Sequence, residues 1–240
     1  MKTNFFMLLC FIFSIKFFSQ KSIECTYNVH FNQPETSIAA NKNILQRAVS
    51  GSKNIEFKLL SNKNYSQFSL VENLSLKEKD AKIALVMMSY ENYVYCDLLL
   101  KEVLFNNSIR TQLFEKNEFI ITRKIFSDWI LTSESKSINK MLCFKAFAQL
   151  PPDVLNNDKS INVIAWYCPS VPFSSGPNGF GGLPGLIFEL QVDNITYGTV
   201  DLKLLDKDIL VIKPTKGTKI DVKTYFNKMS ERINNSVKGM

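Results

Sequence analysis

The chain of 240 residues holds one histidine, His30, with only nine glycines and eight prolines. A single imidazole excludes His-rich zinc sites and leaves any Ser-His or Cys-His pair one possible base. So little glycine and proline, in a chain 45% hydrophobic and 21% charged, excludes collagen-like and low-complexity states. There is no Cys-x-x-Cys, and the four cysteines after residue 20 lie tens of residues apart, so thiolate metal spacing is missing. No Gly-Lys-Ser/Thr closes the glycine-rich stretch, which removes the P-loop chemistry that needs that lysine and a following helix N-terminus. No Lys/Arg stripe interleaved with aromatics is present, so no nucleic-acid partner is expected.

What is present begins with an address. Lys2 precedes an apolar run from Phe5 to Ile15, and Lys16 ends it. The run is shorter than the about 20 residues of a bilayer span and suits a signal peptide over residues 1–19, cleaved near Ser19 or Gln20. No second apolar run of spanning length follows, so no transmembrane segment is expected after cleavage. The expected location is secreted or periplasmic, in association with the outer membrane. Loss of Lys2 and Lys16 lowers the formal net charge from +7 to +5, a mild excess that reads as a solvated surface.

Export places the remaining cysteines in an oxidising compartment. Cys25, Cys96, Cys143 and Cys168 are an even set, which favours disulfides, and sequence leaves all three pairings open. Cys143 and Cys168 fall on two adjacent β-type segments, so that pair is preferred, with Cys25–Cys96 as the second. No cysteine has a nucleophile's surroundings.

Period-two patterning dominates residues 20–240. In Ser22–Phe31, Ile23, Cys25, Tyr27, Val29 and Phe31 share one face, opposite Glu24, Thr26, Asn28 and His30. Further strand-like runs are Ile55–Leu60, Tyr65–Val71, Ile83–Met88, Tyr93–Leu100, Glu118–Ile125, Trp129–Ser133, Met141–Gln149, Ile161–Cys168, Gly185–Val192, Thr196–Leu205 and Ile209–Lys213. Ala39–Ser50 suits a short helix. Asp221–Val237 suits a longer one, because Val222, Tyr225, Phe226, Met229, Ile233 and Val237 form one apolar stripe. No linker, repeat or composition shift divides the chain. The expected fold is mainly β: a single domain over 20–240, built as an antiparallel β-meander, a curved sheet or half-barrel, with a C-terminal amphipathic helix.

Residues 165–187 hold five of the nine glycines and four of the eight prolines. Pro184-Gly185 suits the centre of a type II turn, where the second residue needs φ > 0. The architectural reading has the loop plug the end of the core, with Phe180 and Leu183 pointing inward. A functional reading makes Trp166, Tyr167, Phe173 and Phe180 a shallow binding surface. Turn chemistry alone explains the composition, so architecture is favoured.

Gly182-Leu183-Pro184-Gly185-Leu186-Ile187 resembles the motif that names the GLPGLI family of exported Bacteroidetes proteins. Asp128-Trp129, Ile138, Cys143 to Ala146 and Ala165 through Pro177 also resemble that family, over about Phe126 to Glu189. Lys140 departs from it, standing where glycine is usual. The resemblance implies an exported β-rich protein with no established activity, and it carries over no catalytic residue. It implies an outer-membrane transport or envelope protein as partner.

Two functions compete. The first is a non-enzymatic binding or assembly module of the cell envelope, one version being a lipid or lipoprotein carrier with an apolar ligand on the concave face. The second is a hydrolase, for which Asp128 and Glu189 are the one nominated carboxylate pair; a glycosidase needs two carboxylates about 5–10 Å apart in an open cleft. No metal ligands, cofactor or catalytic residues are assigned.

Overall fold

The computed structural model describes residues 21–32, 39–88, 93–107, 114–150 and 160–238. The expected signal peptide lies outside them. Twelve strands are described: β1 (Ser22–Phe31), β2 (Glu56–Asn62), β3 (Tyr65–Leu70), β4 (Tyr93–Asp97), β5 (Glu102–Asn106), β6 (Phe119–Lys124), β7 (Ile130–Ile138), β8 (Met141–Leu150), β9 (Ile161–Cys168), β10 (Leu186–Val192), β11 (Ile195–Leu205) and β12 (Thr218–Asp221). The helices are α1 (Ala39–Ser52), α2 (Lys79–Met87) and α3 (Val222–Lys238).

All the strands join one sheet, in the order β12-β6-β5-β4-β3-β2-β1-β11-β10-β9-β8-β7. The fold is mainly β with a C-terminal helix, but it is not one meander. Two meanders, β1–β6 and β7–β11, meet at the antiparallel pair β1–β11, and β12 adds in parallel beside β6.

Chain length requires the sheet to curl. β6 ends at Lys124 and β7 begins at Ile130, yet ten strand intervals separate them. A flat sheet would put them about 48 Å apart. Six residues reach at most about 20–22 Å. The open sheet therefore bends until its two arms approach each other.

The sequence pattern places the core inside that bend. Ile23, Cys25, Tyr27, Val29 and Phe31 of β1 are all buried, as the alternation requires. Phe57 and Phe68 stack at 4.8 Å, Tyr197 meets both edge-on, and the Tyr27 hydroxyl donates to the Ile187 carbonyl at 2.6 Å. Buried aromatic pairs of this kind add stability beyond the area they bury.

Two expected strands take other forms, and two strands are added. Ile83–Met88 is the end of α2, because Ala81, Ala84, Leu85 and Met88 bury at helical spacing. Its unbroken apolar run has no period of its own to decide between strand and helix. Ile209–Lys213 is an irregular strap along residues 206–217, lying on the outer face of the β1–β6 arm. Val211 packs on Tyr95, Leu104 and Ile120, while the Tyr93 hydroxyl and the side chains of Asn62 and Asn106 donate to strap carbonyls. Glu102–Asn106 and Thr218–Asp221 are strands the pattern did not single out.

The helix α3 forms as its stripe predicts, started by Asp221, whose carboxylate accepts from the Thr224 backbone N–H at 2.9 Å. Tyr225 and Met229 pack against the core and Tyr225 meets Phe114 and Phe119, whereas Phe226 is half-buried and Ile233 is exposed.

Candidate functional site

The glycine-rich segment, residues 169–185, leaves β9 and returns as β10 after crossing the inside of the curled sheet. Its backbone is tied in short rings: Phe173 N–H to Val171, Ser175 N–H to Phe173, and Gly185 N–H to Leu183, at 2.8–2.9 Å. The last ring is a three-residue γ-turn about Pro184, so the expected type II turn is not formed; the Leu186 N–H goes instead to Val171. Gly185 does take positive φ, +153°. A Cβ there would stand 2.3 Å from the Cys168 carbonyl oxygen. This is backbone packed on backbone, which glycine alone accepts.

The loop tip reaches the opposite arm. Asn178 (φ 49°) and Gly179 (φ 73°) turn it, and a Cβ on Gly179 would touch Val94, Val103 and Arg123, from β4, β5 and β6. Arg123 Nη2 donates to the Asn178 carbonyl at 2.7 Å and Trp129 Nε1 donates to the Gly181 carbonyl at 2.8 Å. Phe126, Trp129 and Phe180 form an aromatic cluster with centroids 5.1–6.2 Å apart. Phe173, Phe180 and Leu183 are buried. The segment is thus a clasp: it is rooted in the β7–β11 arm and bonded to the end of the β1–β6 arm, the closure that the short β6–β7 connection demands.

The four nominated aromatics do not share a surface. Tyr167, Phe173 and Phe180 are buried, and only Trp166 is half-exposed, on the outer face of β9. Of the motif residues, Leu183, Leu186 and Ile187 are buried and Gly182 turns at φ +80°. A register shift between Ile187 and Glu189 interrupts the expected alternation at Phe188. Leu186, Ile187, Phe188 and Leu190 are therefore all buried and Glu189 alone faces outward.

The expected disulfides are absent; Cys25, Cys96, Cys143 and Cys168 are buried free thiols. Cys25 and Cys96 lie three strand intervals apart, about 14 Å along the sheet. That exceeds the about 4.4–6.8 Å a bridge spans. Cys143 and Cys168 are neighbours across β8 and β9, as preferred, but they remain thiols. Burial, with the adjacent Cys168 thiol, pushes the Cys143 thiol up to about 12, and burial pushes Cys25 up to about 11. Neither is a nucleophile at neutral pH. The nominated carboxylates are also apart in role. Asp128 is exposed beside Ser127, and Glu189 is bound to Lys136 at 2.8 Å. Among the described residues no three His, Cys, Asp or Glu side chains group as metal ligands, and no helix is long and apolar enough to cross a membrane.

One surface went unnoticed in the sequence. On the outer side of β7–β9, Lys136 Nζ sits 4.3 Å from the centre of the Trp166 ring while bridging to Glu189, and Lys145 bridges to Glu134 at 3.0 Å. Beside this ladder Ile130 and Phe147, directly opposite each other across β7 and β8, are 55% and 40% exposed. A shallow hollow of about 300 Å³ lies between Thr132, Glu134, Lys145, Phe147, Asn162 and Ile164. Among the described residues β7 is an edge strand of the sheet. The available signal was Ile130-Leu131 running into a wholly polar Thr-Ser-Glu-Ser-Lys-Ser stretch, an edge strand's composition.

The fold and clasp define a class, an open curled β-sheet closed by a glycine-rich loop. A family model described as a protein of unknown function, Porph_ging, matches residues 151–189, which include β9, the clasp and the start of β10. No curated protein matches. Two crystal forms of PNGF-II are similar in fold. One is 14% identical with a TM-score of 0.51 over 88% of this chain and 34% of that one. The other is 13% identical with a TM-score of 0.52 over 88% and 33%. The chain spans about a third of the length of these structures, and the likeness is one of fold.

Proposed function

We propose that this is an exported, non-enzymatic binding or assembly module of the cell envelope whose partner surface is the outer face of β7 and β8. The observation that carries it is the pair Ile130 and Phe147, exposed with the Trp166 ladder beside a strand that is at the sheet's edge among the described residues. Such an edge offers backbone hydrogen bonds, and the neighbouring side chains offer apolar contact to a protein partner. The apolar run at residues 5–15 supports export to the periplasm or outer membrane. The likeness of residues 182–187 to the GLPGLI family of Bacteroidetes supports an envelope or outer-membrane transport protein as partner. A lipid carrier receives less support, because the concave side is filled by the core and the clasp. A hydrolase receives less again, since Glu189 is held by Lys136.

A photo-crosslinking residue at Ile130, in cells producing the full chain, tests this. The expected result is one discrete adduct that Phe147→Asp abolishes while melting is unchanged. An adduct insensitive to that substitution, or a chain that stays in the cytoplasm with residues 1–19 uncleaved, overturns the reading.

A further inference from the structure

The helix pair α1 and α2 carries a second surface that neither the clasp nor the sheet edge explains. The helices cross in contact, Gly51 packing on the backbone of Asp80, and Arg47 Nη2 bridges to Asp80 Oδ1 at 2.8 Å. Leu45 and Ala48 of α1, with Ala84, Leu85 and the adjoining Met88, turn into the core. What remains points outward. Ile44, Val86 and Met87 are 51%, 77% and 38% exposed. With Ile83 they line an open cleft of about 350 Å³ whose other lining residues are Lys79 and Lys82. Positions 79, 82, 83, 86 and 87 recur at three- and four-residue steps, so one stripe of α2 runs from ammonium groups at its start to aliphatic groups at its end. Lys79 and Lys82 have no ion-pair partner among the described residues.

We infer that this shelf docks on an anionic lipid bilayer, with Ile44, Val86 and Met87 entering the headgroup–acyl boundary and Lys79 and Lys82 meeting lipid phosphates. Single exposed aliphatics are ordinary on a protein surface, but three in one cleft, rimmed by two cations that have no ion-pair partner among the described residues, are a patch. The charge selects the occupant. A second copy in a two-fold contact would set each lysine pair against its own kind. The lining has no aromatic ring and no arginine, the anchors that protein interfaces concentrate, and no hydrogen-bond acceptor on a side chain. A bilayer needs neither shape complementarity nor directional bonds, only apolar depth and positive charge at the interface.

Co-sedimentation of the exported chain with vesicles tests the inference. Binding is expected to phosphatidylglycerol–phosphatidylcholine vesicles and not to phosphatidylcholine alone, and it should weaken as salt rises. Val86→Asp, and separately the pair Lys79→Glu with Lys82→Glu, should each weaken it by about tenfold or more. All three positions are on the surface, and an unchanged thermal melt verifies the fold. Ile130→Asp and Phe147→Asp should leave vesicle binding intact, which separates this surface from the edge of β7. Equal binding to neutral vesicles, no vesicle binding, variants that bind like the parent, or a dimer that Val86→Asp dissolves would each overturn it.

Discussion

The clasp and the strap are both long irregular segments that bridge distant strands, yet they are built on opposite terms. The clasp, residues 169–185, runs inside the curled sheet, and its side chains Phe173, Phe180 and Leu183 are buried. It uses glycine where backbone meets backbone, and its carbonyls are met by Arg123 from the far arm and by Trp129 from the β6–β7 connection. The strap, residues 206–217, runs outside. Leu210 and Ile212 stand exposed, one side chain, Val211, anchors the middle, and Tyr93, Asn62 and Asn106 hold its carbonyls. A connection inside a curve has no spare volume, so its residue types are restricted; one outside is constrained mainly at its anchors.

Gly185→Val should break the clasp outright. Strain at φ +153° costs about 1–3 kcal/mol, and a branched side chain must also overlap the Cys168 carbonyl. Their sum should exceed about 5 kcal/mol, enough to prevent folding of most domains, and is read as loss of soluble protein or of a cooperative urea transition. An unchanged midpoint would show that the inside connection is as permissive as the outside one. Phe180→Ala keeps the backbone but empties a site between Phe126 and Trp129. The expected loss is about 3–5 kcal/mol, measured as a shift in the denaturant midpoint.

Val211→Asp gives the matching test of the strap. Val211 is half-buried, so about 1–2 kcal/mol is expected, together with faster hydrogen exchange and proteolysis within residues 206–217 only. A cost equal to that of Phe180→Ala would erase the distinction between the two segments. The smallest effect belongs to the strap's far end, where α3 is tied by Arg232 Nη2 to Glu118 Oε1 at 2.7 Å. That guanidinium holds the Glu118 carboxyl below its ordinary value of 4.5. A depressed carboxyl pKa contributes stability that is full above 4.5 and is lost as pH falls through the folded-state value. Arg232→Ala should therefore raise the Glu118 pKa in an NMR titration and remove only a little stability at neutral pH, because both groups are partly exposed and solvent screens the pair. An unmoved Glu118 titration would mean that the pair does not form in solution.

Much of the β content was legible where one face of a strand is wet, as in β1 and β2. β1 alternates cleanly and its bounds match the expected Ser22–Phe31. The stripe of α3 was equally clear, as was the inward aim of Phe180 and Leu183. α2 was not legible, because Ile-Ala-Leu-Val-Met-Met is apolar whether helical or extended. Nor was the strap: Ile209–Lys213 reads as a strand, but the neighbours it needed are already paired with each other. The Trp166 ladder was hidden for a different reason. Lys136, Lys145, Glu134 and Glu189 come from three strands and meet only through register, and two register shifts, in β7 and β10, set which of them meet.

By itself the sequence determined the β-rich class, the C-terminal helix and a glycine loop made for architecture, since period, capping and turn chemistry act within a few residues. Only the tertiary structure decided that two meanders join at β1–β11, that the sheet curls until the clasp meets the opposite arm, and which apolar side chains remain outside. Those outcomes depend on strand order and on contacts between residues more than a hundred positions apart, and no local pattern encodes which strand becomes whose neighbour.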